Sequence, residues 1–373
     1  MYGMGDNHSN LAKTTEGTLD SVKVKQDTEK TFRVPIEELA VLGTGVAPLL
    51  PALRTVAENM EIPEEGMCRL ANAEVEDVFK QAESGNWWKA MKAQAGKSGM
   101  VNIQKLEGTA WTGTTASEMN VPMILLAAVL HSVEKEISEI DRIGKGIEAF
   151  LTNEKEDEIE KIVEKLLFII DEFKNNWENE AFLEDSYETV VAVREKAKSK
   201  IIGFQRQVVD PLNSNKIITT RAQIEELLNK VVRNFRYYRL DLFIYSMTSY
   251  LEILLSGNYD RDYVKSIKVK VEDNAHKFRS ILKRCTDELD MHTMKSMRTN
   301  TIKEGEHESV LQDGGRHMKS SSYDLEKDAL KAFVEISNSG TALFTGKMED
   351  IIQIYNDTKE ICFDNENIYL ISK

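Results

Sequence analysis

Several groupings in this 373-residue chain hold residue types that do chemistry elsewhere. Gly96-Lys97-Ser98 has the closing residues of a phosphate-binding loop, in which backbone amides and a lysine hold phosphate oxygens. The first glycine of such a loop would fall at position 91, which is Met91. The run beyond Gly99 reads as a strand, not as a helix whose N-terminal amides would face an anion, so a β-turn is the better account. Gly43-Thr44-Gly45 begins like a dinucleotide-binding turn, but Pro48 stands where the third glycine belongs. Cys285, Glu288 and His292 share a helical face, with Asp287 and Asp290 nearby and His307 and His317 further on. A metal needs three or four convergent ligands, and Cys285 also fits an apolar stripe, so no metal centre is expected. The carboxylates Glu154, Glu156, Asp157, Glu158 and Glu160 lack the glycine turn and spacing of a calcium loop. They stand at a helix start, where negative charge is favourable. Six scattered histidines give no readable nucleophile–base pair.

The arrangement of charge carries more. Residues 154–180 hold ten acidic and four basic side chains, whereas 194–239 hold eleven basic and four acidic. Arg233, Arg236 and Arg239 recur every three residues, with Tyr237 and Tyr238 between them. Such a ridge has the chemistry to meet phosphate or anionic lipid, with tyrosine rings available for stacking, so Arg233, Arg236, Arg239 and Tyr237 are the candidate anion-binding residues. The competing account is a basic helix lying beside an acidic one within a single bundle. Trp87 and Trp88, between two turn-forming runs, are the candidate contact residues for a membrane or a partner. No catalytic residue and no cofactor is assigned, which weighs against an enzyme.

The elements that must position these residues are readable from periodicity. Leu126, Leu130, Val133, Ile137, Ile140, Gly144, Ile147 and Leu151 keep an unbroken 4-3 spacing, which predicts a long helix over 118–151. Four further stripes continue the pattern. The first runs through Ile159, Val163, Leu166, Ile170, Phe173 and Trp177, the second from Tyr187 to Val208 with Arg194 on it. The third runs from Ile224 to Ser249 and the fourth from Val264 to Cys285. The links between them are short, at 152–153, 181–185, 211–219 and 256–260, which forces neighbours to run antiparallel. Before residue 115, prolines, glycines and alternating runs such as Thr31-Phe32-Arg33-Val34 predict strands, turns and one short helix. At the other end, Ile361–Phe363 and Ile368–Ile371 flank a polar turn and predict a β-hairpin that joins the N-terminal strands.

The fold class expected is therefore mainly α: an elongated antiparallel multi-helix bundle of long amphipathic helices, with a small β-containing N-terminal region and a C-terminal β-hairpin. The expected divisions are 1–115 irregular and β-containing, 116–290 the helix bundle, 291–322 a flexible polar loop, and 323–373 C-terminal helices and hairpin. Apolar residues at 41% and charged residues at 29% allow a sizeable core, and a net charge of −14 weighs against a protein that coats nucleic acid. Three widely spaced cysteines and the polar first thirty residues fit a reducing, cytoplasmic setting. Two uncharged or nearly uncharged stretches, 119–133 and 242–259, are too short and too interrupted to span a bilayer.

The function expected is a non-enzymatic helical interaction or scaffold protein, self-associating or binding a protein partner. One alternative is a membrane-active protein. The layout is similar to that of long-helix bacterial pore-formers, in which a helical bundle carries a detachable β or apolar hairpin; the likeness covers no motif and assigns no residue. A second alternative is a nucleotide or anion sensor built on the Arg/Tyr ridge.

Overall fold

A computed structural model describes residues 31–43, 46–59, 68–70, 99–105, 114–119, 121–148, 156–177, 179–213, 221–305 and 340–372. The described elements are, in chain order, β1 (Thr31–Pro35), a 3-10 turn (Ile36–Ala40), α1 (Leu49–Asn59), β2 (Cys68–Leu70), β3 (Gly99–Lys105), β4 (Thr114–Met119), α2 (Val121–Glu148), α3 (Glu156–Asn176), α4 (Glu180–Asn213), α5 (Arg221–Ser256), α6 (Arg261–Gly305), α7 (Thr341–Ile352), a π-helical turn (Gln353–Asp357), β5 (Thr358–Phe363) and β6 (Asn367–Ser372). The protein is thus mainly helical, with a small antiparallel sheet made from both ends of the chain. Two compact units share it. Of the described residues, those within 26–194, 246–271 and 342–373 form one, and those within 195–245 and 272–341 form the other.

The first unit contains the sheet, ordered β1-β6-β5-β2-β3-β4. The C-terminal hairpin β5–β6 sits between strands from the N-terminal part, pairing β6 with β1 and β5 with β2. Asp364 shapes the hairpin turn: its Oδ1 accepts the backbone amides of Glu366 and Asn367 at 2.8 and 2.7 Å, and its Oδ2 accepts the Tyr369 hydroxyl at 2.7 Å. Burial alone would raise the Asp364 pKa, but these hydrogen bonds to the charged form outweigh it and hold the carboxyl below its ordinary value. Against the sheet and the turns lies α2, which touches β1, α3, the 3-10 turn and the π-helical turn. From Ile124 to Val133 every residue of α2 is buried, so this part of the helix has no solvent face.

The stripe predicted for α3 is the face it buries: Ile159, Val163, Leu166, Ile170, Phe173 and Trp177 are all in the core. The start of α6 is fastened to the C-terminal elements. The Tyr259 and Tyr355 rings stack at 4.5 Å, Asn356 donates to the Tyr259 carbonyl at 3.0 Å, Lys268 meets Glu349 at 2.6 Å, and Arg261 pairs with Asp357.

The second unit is built from the later part of α4, most of α5 and the later part of α6. Along α4 and α5 the pairs Lys200–Asp241 and Gln205–Tyr238 move in opposite directions, so the two helices are antiparallel here. Phe235, Tyr238 and Phe278 form its aromatic centre, with Phe278 edge-on to both other rings at 5.7 and 4.9 Å. Such contacts add roughly 0.5–1.5 kcal/mol each beyond burial. Ala197, Ile201, Val231, Leu242, Ala275, Leu282 and Cys285 complete the core. Burial raises the Cys285 thiol pKa to about 12, which leaves it an inert core residue.

Several boundaries differ from expectation. The helix predicted from 118 begins at Val121, because Thr114–Met119 pair along β3 instead. The segment 181–185, expected as a link, is helical: Asn179 Oδ1 caps the Phe182 amide at 3.3 Å and starts α4 early. The expected loop from 291 is helical as far as Gly305. A helix already docked through Leu282 and Cys285 propagates at one hydrogen bond per residue, and 291–304 contain no glycine or proline to stop it. The alternation Val22-Lys23-Val24 and the run 87–91, which read as strands, the remainder of 291–322 and residues 323–337, which read as a helix, lie outside the described residues.

Two glycines give opposite expectations. Gly43 has φ +105°, and a Cβ there would stand 2.5 Å from the Lys174 carbonyl oxygen. Gly203 lies inside α4 with nothing within 4 Å of a Cβ. Gly43→Ala is expected to lower stability by about 2–4 kcal/mol, from backbone strain plus displacement of α3. Gly203→Ala is expected to raise it by about 0.5–1 kcal/mol through helix propensity. Urea unfolding of both variants checks the pair.

Candidate functional site

The basic ridge of α5 falls in the second unit and does not present one uniform face. Arg233 is exposed, whereas Arg236, Tyr237 and Arg239 are half-buried. Three-residue spacing on a helix of 3.6 residues per turn drifts about 60° per step, which carries successive arginines round the helix. Tyr237 stacks on Phe204 of α4, ring centres 6.1 Å apart and planes 4° from parallel. One face of its ring is therefore covered by a neighbour. Burial lowers the Arg239 pKa from its ordinary value. Trp87 and Trp88 lie outside the described residues, as do the His292, His307 and His317 side chains. Of the residues weighed as metal ligands, Glu288 accepts Arg284 at 3.5 Å. Among the described residues, no group of three or more His, Cys, Asp or Glu side chains converges as a metal site would require.

A denser polar cluster lies in the first unit, where buried α2 meets α7 and the 3-10 turn. Ser132 donates its hydroxyl hydrogen to Asp350 Oδ2 at 2.7 Å and accepts Lys347 Nζ at 3.1 Å. Lys347 also reaches Asp350 Oδ2 at 3.2 Å, one helical turn along α7. Beside them, His131 Nδ1 is 2.9 Å from Glu38 Oε2, and the Phe32 ring of β1 sits edge-on to the imidazole at 6.2 Å. One turn further along α2, Glu134 accepts Lys174 Nζ at 2.8 Å, and Asp171 holds the same ammonium at 2.9 Å. Burial opposes the charge on Lys174, but the hydrogen bonds to both carboxylates outweigh it and raise its pKa.

This arrangement fastens helices. Ser132 is buried, gives its one hydrogen to a carboxylate and receives a charged donor, so its oxygen is held in place rather than offered to a substrate. The sequence shows His131 and Ser132 only as interruptions in an apolar run. Their partners lie at positions 38, 347 and 350, a separation that no local pattern encodes.

A second buried pair explains two oddities of the sequence. Arg194, on the apolar stripe of α4, pairs with Glu252, a lone charge in the run 242–259. The Tyr263 hydroxyl also reaches Glu252 Oε1, at 3.4 Å. All three belong to the first unit. Removing one partner of a buried pair strands the other charge, which costs about 3–5 kcal/mol, whereas replacing both by apolar residues is often nearly neutral. Arg194→Leu is expected to lower stability by about that amount, and Arg194→Leu combined with Glu252→Leu to recover most of it. A double-mutant cycle read by urea unfolding measures the difference.

His131 gives a pH dependence. Burial lowers its pKa below the ordinary 6.5, with Glu38 acting in the opposite direction and Lys135 and Lys347 adding to the fall. In the pH range between the lowered folded value and 6.5, the unfolded chain binds more protons than the folded one. The stability this residue contributes is therefore complete above pH 6.5 and is lost as pH falls through the folded value. Thermal melts at pH 7.0, 6.0 and 5.5 are expected to show a steeper loss for the wild type than for His131→Gln.

Compared with known proteins, the chain matches no family model, no curated protein and no solved structure.

Proposed function

We propose that this chain is a non-enzymatic helical interaction protein that assembles with further copies of itself. The observation that carries the reading is the use made of buried and half-buried polar groups. Ser132, Lys347, Asp350, Lys174, Glu134, Arg194 and Glu252 each bond from one helix to another, which sets register instead of preparing a reactive group. Two helices, α4 of 34 residues and α6 of 45, carry exposed charges such as Glu188, Lys198 and Arg206 on α4 and Lys265, Glu272 and Lys277 on α6. Long charged rods held in fixed register suit repeated lateral contact with other proteins.

A second reading, membrane activity, draws on a different observation. In α5 every residue from Leu240 to Leu255 is buried, with Asp241 and Glu252 the only formal charges among these sixteen. No helix among the described residues is long and apolar enough to cross a membrane. This stretch is covered within the chain.

Sedimentation velocity from about 1 to 100 µM, with and without anionic vesicles, separates the two. Self-assembly predicts a weight-average mass that rises with concentration in the absence of lipid. Mass that stays at one chain throughout, together with leakage of vesicle contents, would sink the first reading and favour the second.

A further inference from the structure

The described surface carries four exposed large hydrophobic residues: Val41, Phe168, Ile202 and Val269. Isolated apolar residues on a surface need no special account. Two of these four are set apart by what surrounds them. Phe168, 60% exposed, stands on the outer side of α3. Within one helical turn of it, at positions three and four residues away, are Glu164, Lys165, Asp171 and Glu172, a net charge of −2. Ile202, 44% exposed, stands on the outer side of α4. The same four positions around it are Lys198, Ser199, Gln205 and Arg206, a net charge of +2. Around Val269 the corresponding residues are Lys265, Ser266, Glu272 and Asp273, which mix both signs. Some of these charges have partners within the chain: Lys198 meets Glu195 at 3.4 Å and Asp171 meets Lys174 at 2.9 Å. Lys198 and Glu195 are about half exposed and Asp171 is more so, which leaves their outer sides open to a second partner.

We infer that the Phe168 ridge of α3 docks on the Ile202 ridge of α4 in a second copy of this chain. The two faces are complementary in both respects that matter at a helix–helix contact: each offers one apolar knob, and the rims carry opposite charge. Like charges around each knob discourage a face from pairing with itself, so the contact joins unlike faces. A head-to-tail contact of this kind leaves one face of each sort open at the ends of any chain of copies, and assembly continues until it closes into a ring or forms a filament. The contact between two helix ridges is smaller than the ~1,200 Å² of a standard interface, so a single junction is weak and steered by charge. This inference rests on the self-association proposed above and names its surfaces.

Two double substitutions test it: Glu164→Lys with Phe168→Ala, which spoils the acidic face, and Ile202→Ala with Arg206→Glu, which spoils the basic face. All four positions are on the helix exterior, and circular-dichroism melts establish that each variant is folded. The single substitutions Glu164→Lys and Arg206→Glu repeat the test with both hydrophobes kept. By sedimentation velocity, each double variant alone is expected to remain a single chain at concentrations where the wild type assembles. Mixed one to one, they are expected to form a heterodimer that grows no further, since each retains the face the other lacks. Raising salt from 0.05 to 0.5 M is expected to weaken wild-type association about tenfold, because exposed charges are screened. Wild-type assembly that persists undiminished in both variants, or a mixture that stays monomeric, overturns this surface and leaves self-association standing. A wild type that never associates overturns both.

Discussion

A helix with no polar face must be covered on every side, and that requirement governs the first unit. Residues 124–133 of α2 are buried without interruption. No single neighbouring layer covers a whole helix, so several elements have to converge on it. β1, the 3-10 turn, α3 and the π-helical turn do so. These elements come from opposite ends of the described chain, which is why the hairpin β5–β6 is paired between N-terminal strands instead of standing apart. The sheet is tied to the helix through β1, and β6 cannot leave β1 without breaking their pairing and the Arg33–Asn367 hydrogen bond of 2.7 Å.

Covering a helix so completely also forces its few polar groups to be satisfied from across the core. Ser132 lies within the uninterrupted buried run of α2, away from bulk water. An unpaired buried hydroxyl or carboxylate costs free energy of the order of a lost hydrogen bond or more. The answer here is reciprocal: Lys347 and Asp350, one turn apart on α7, enclose Ser132 between a donor and an acceptor. Arg194 and Glu252 solve the same problem between α4 and α5. In both cases the polar contact admits only one sliding position of a helix, where the apolar contacts around it would tolerate several.

The helices and their inner faces are legible in the sequence, and the reason is geometric. A stripe such as Ile159 to Trp177 is a local signal, since residues three and four apart meet one neighbour. The same logic finds the short helix α1, the strand at Phe32 and Val34, and the final hairpin. Where periodicity gives way to all-round burial, in 124–133 and 240–255, the heptad pattern names only part of what is covered. The start of α4 escapes such a reading because a single capping residue, Asn179, decides it. The end of α6 escapes it because sparse apolar residues look like a loop, although helix propagation needs only the absence of a breaker. The polar cluster is not legible at all, for its partners on different elements stand from 40 to 218 positions apart.

That contrast bears on what kind of protein this is. Charged residues inside the fold are committed to one another, while those around two of the exposed hydrophobes differ in net sign from one helix to the other. Glu164, Asp171 and Glu172 outnumber Lys165 around Phe168 on α3, and Lys198 and Arg206 flank Ile202 on α4. Sorting of this kind gives no benefit to folding, since exposed pairs contribute little to stability and like charges one turn apart oppose the helix slightly. A pattern that contributes little to folding is compatible with the self-association proposed above. Opposite net charge around two exposed hydrophobes in the same molecule is the complementarity on which the proposed contact between copies rests.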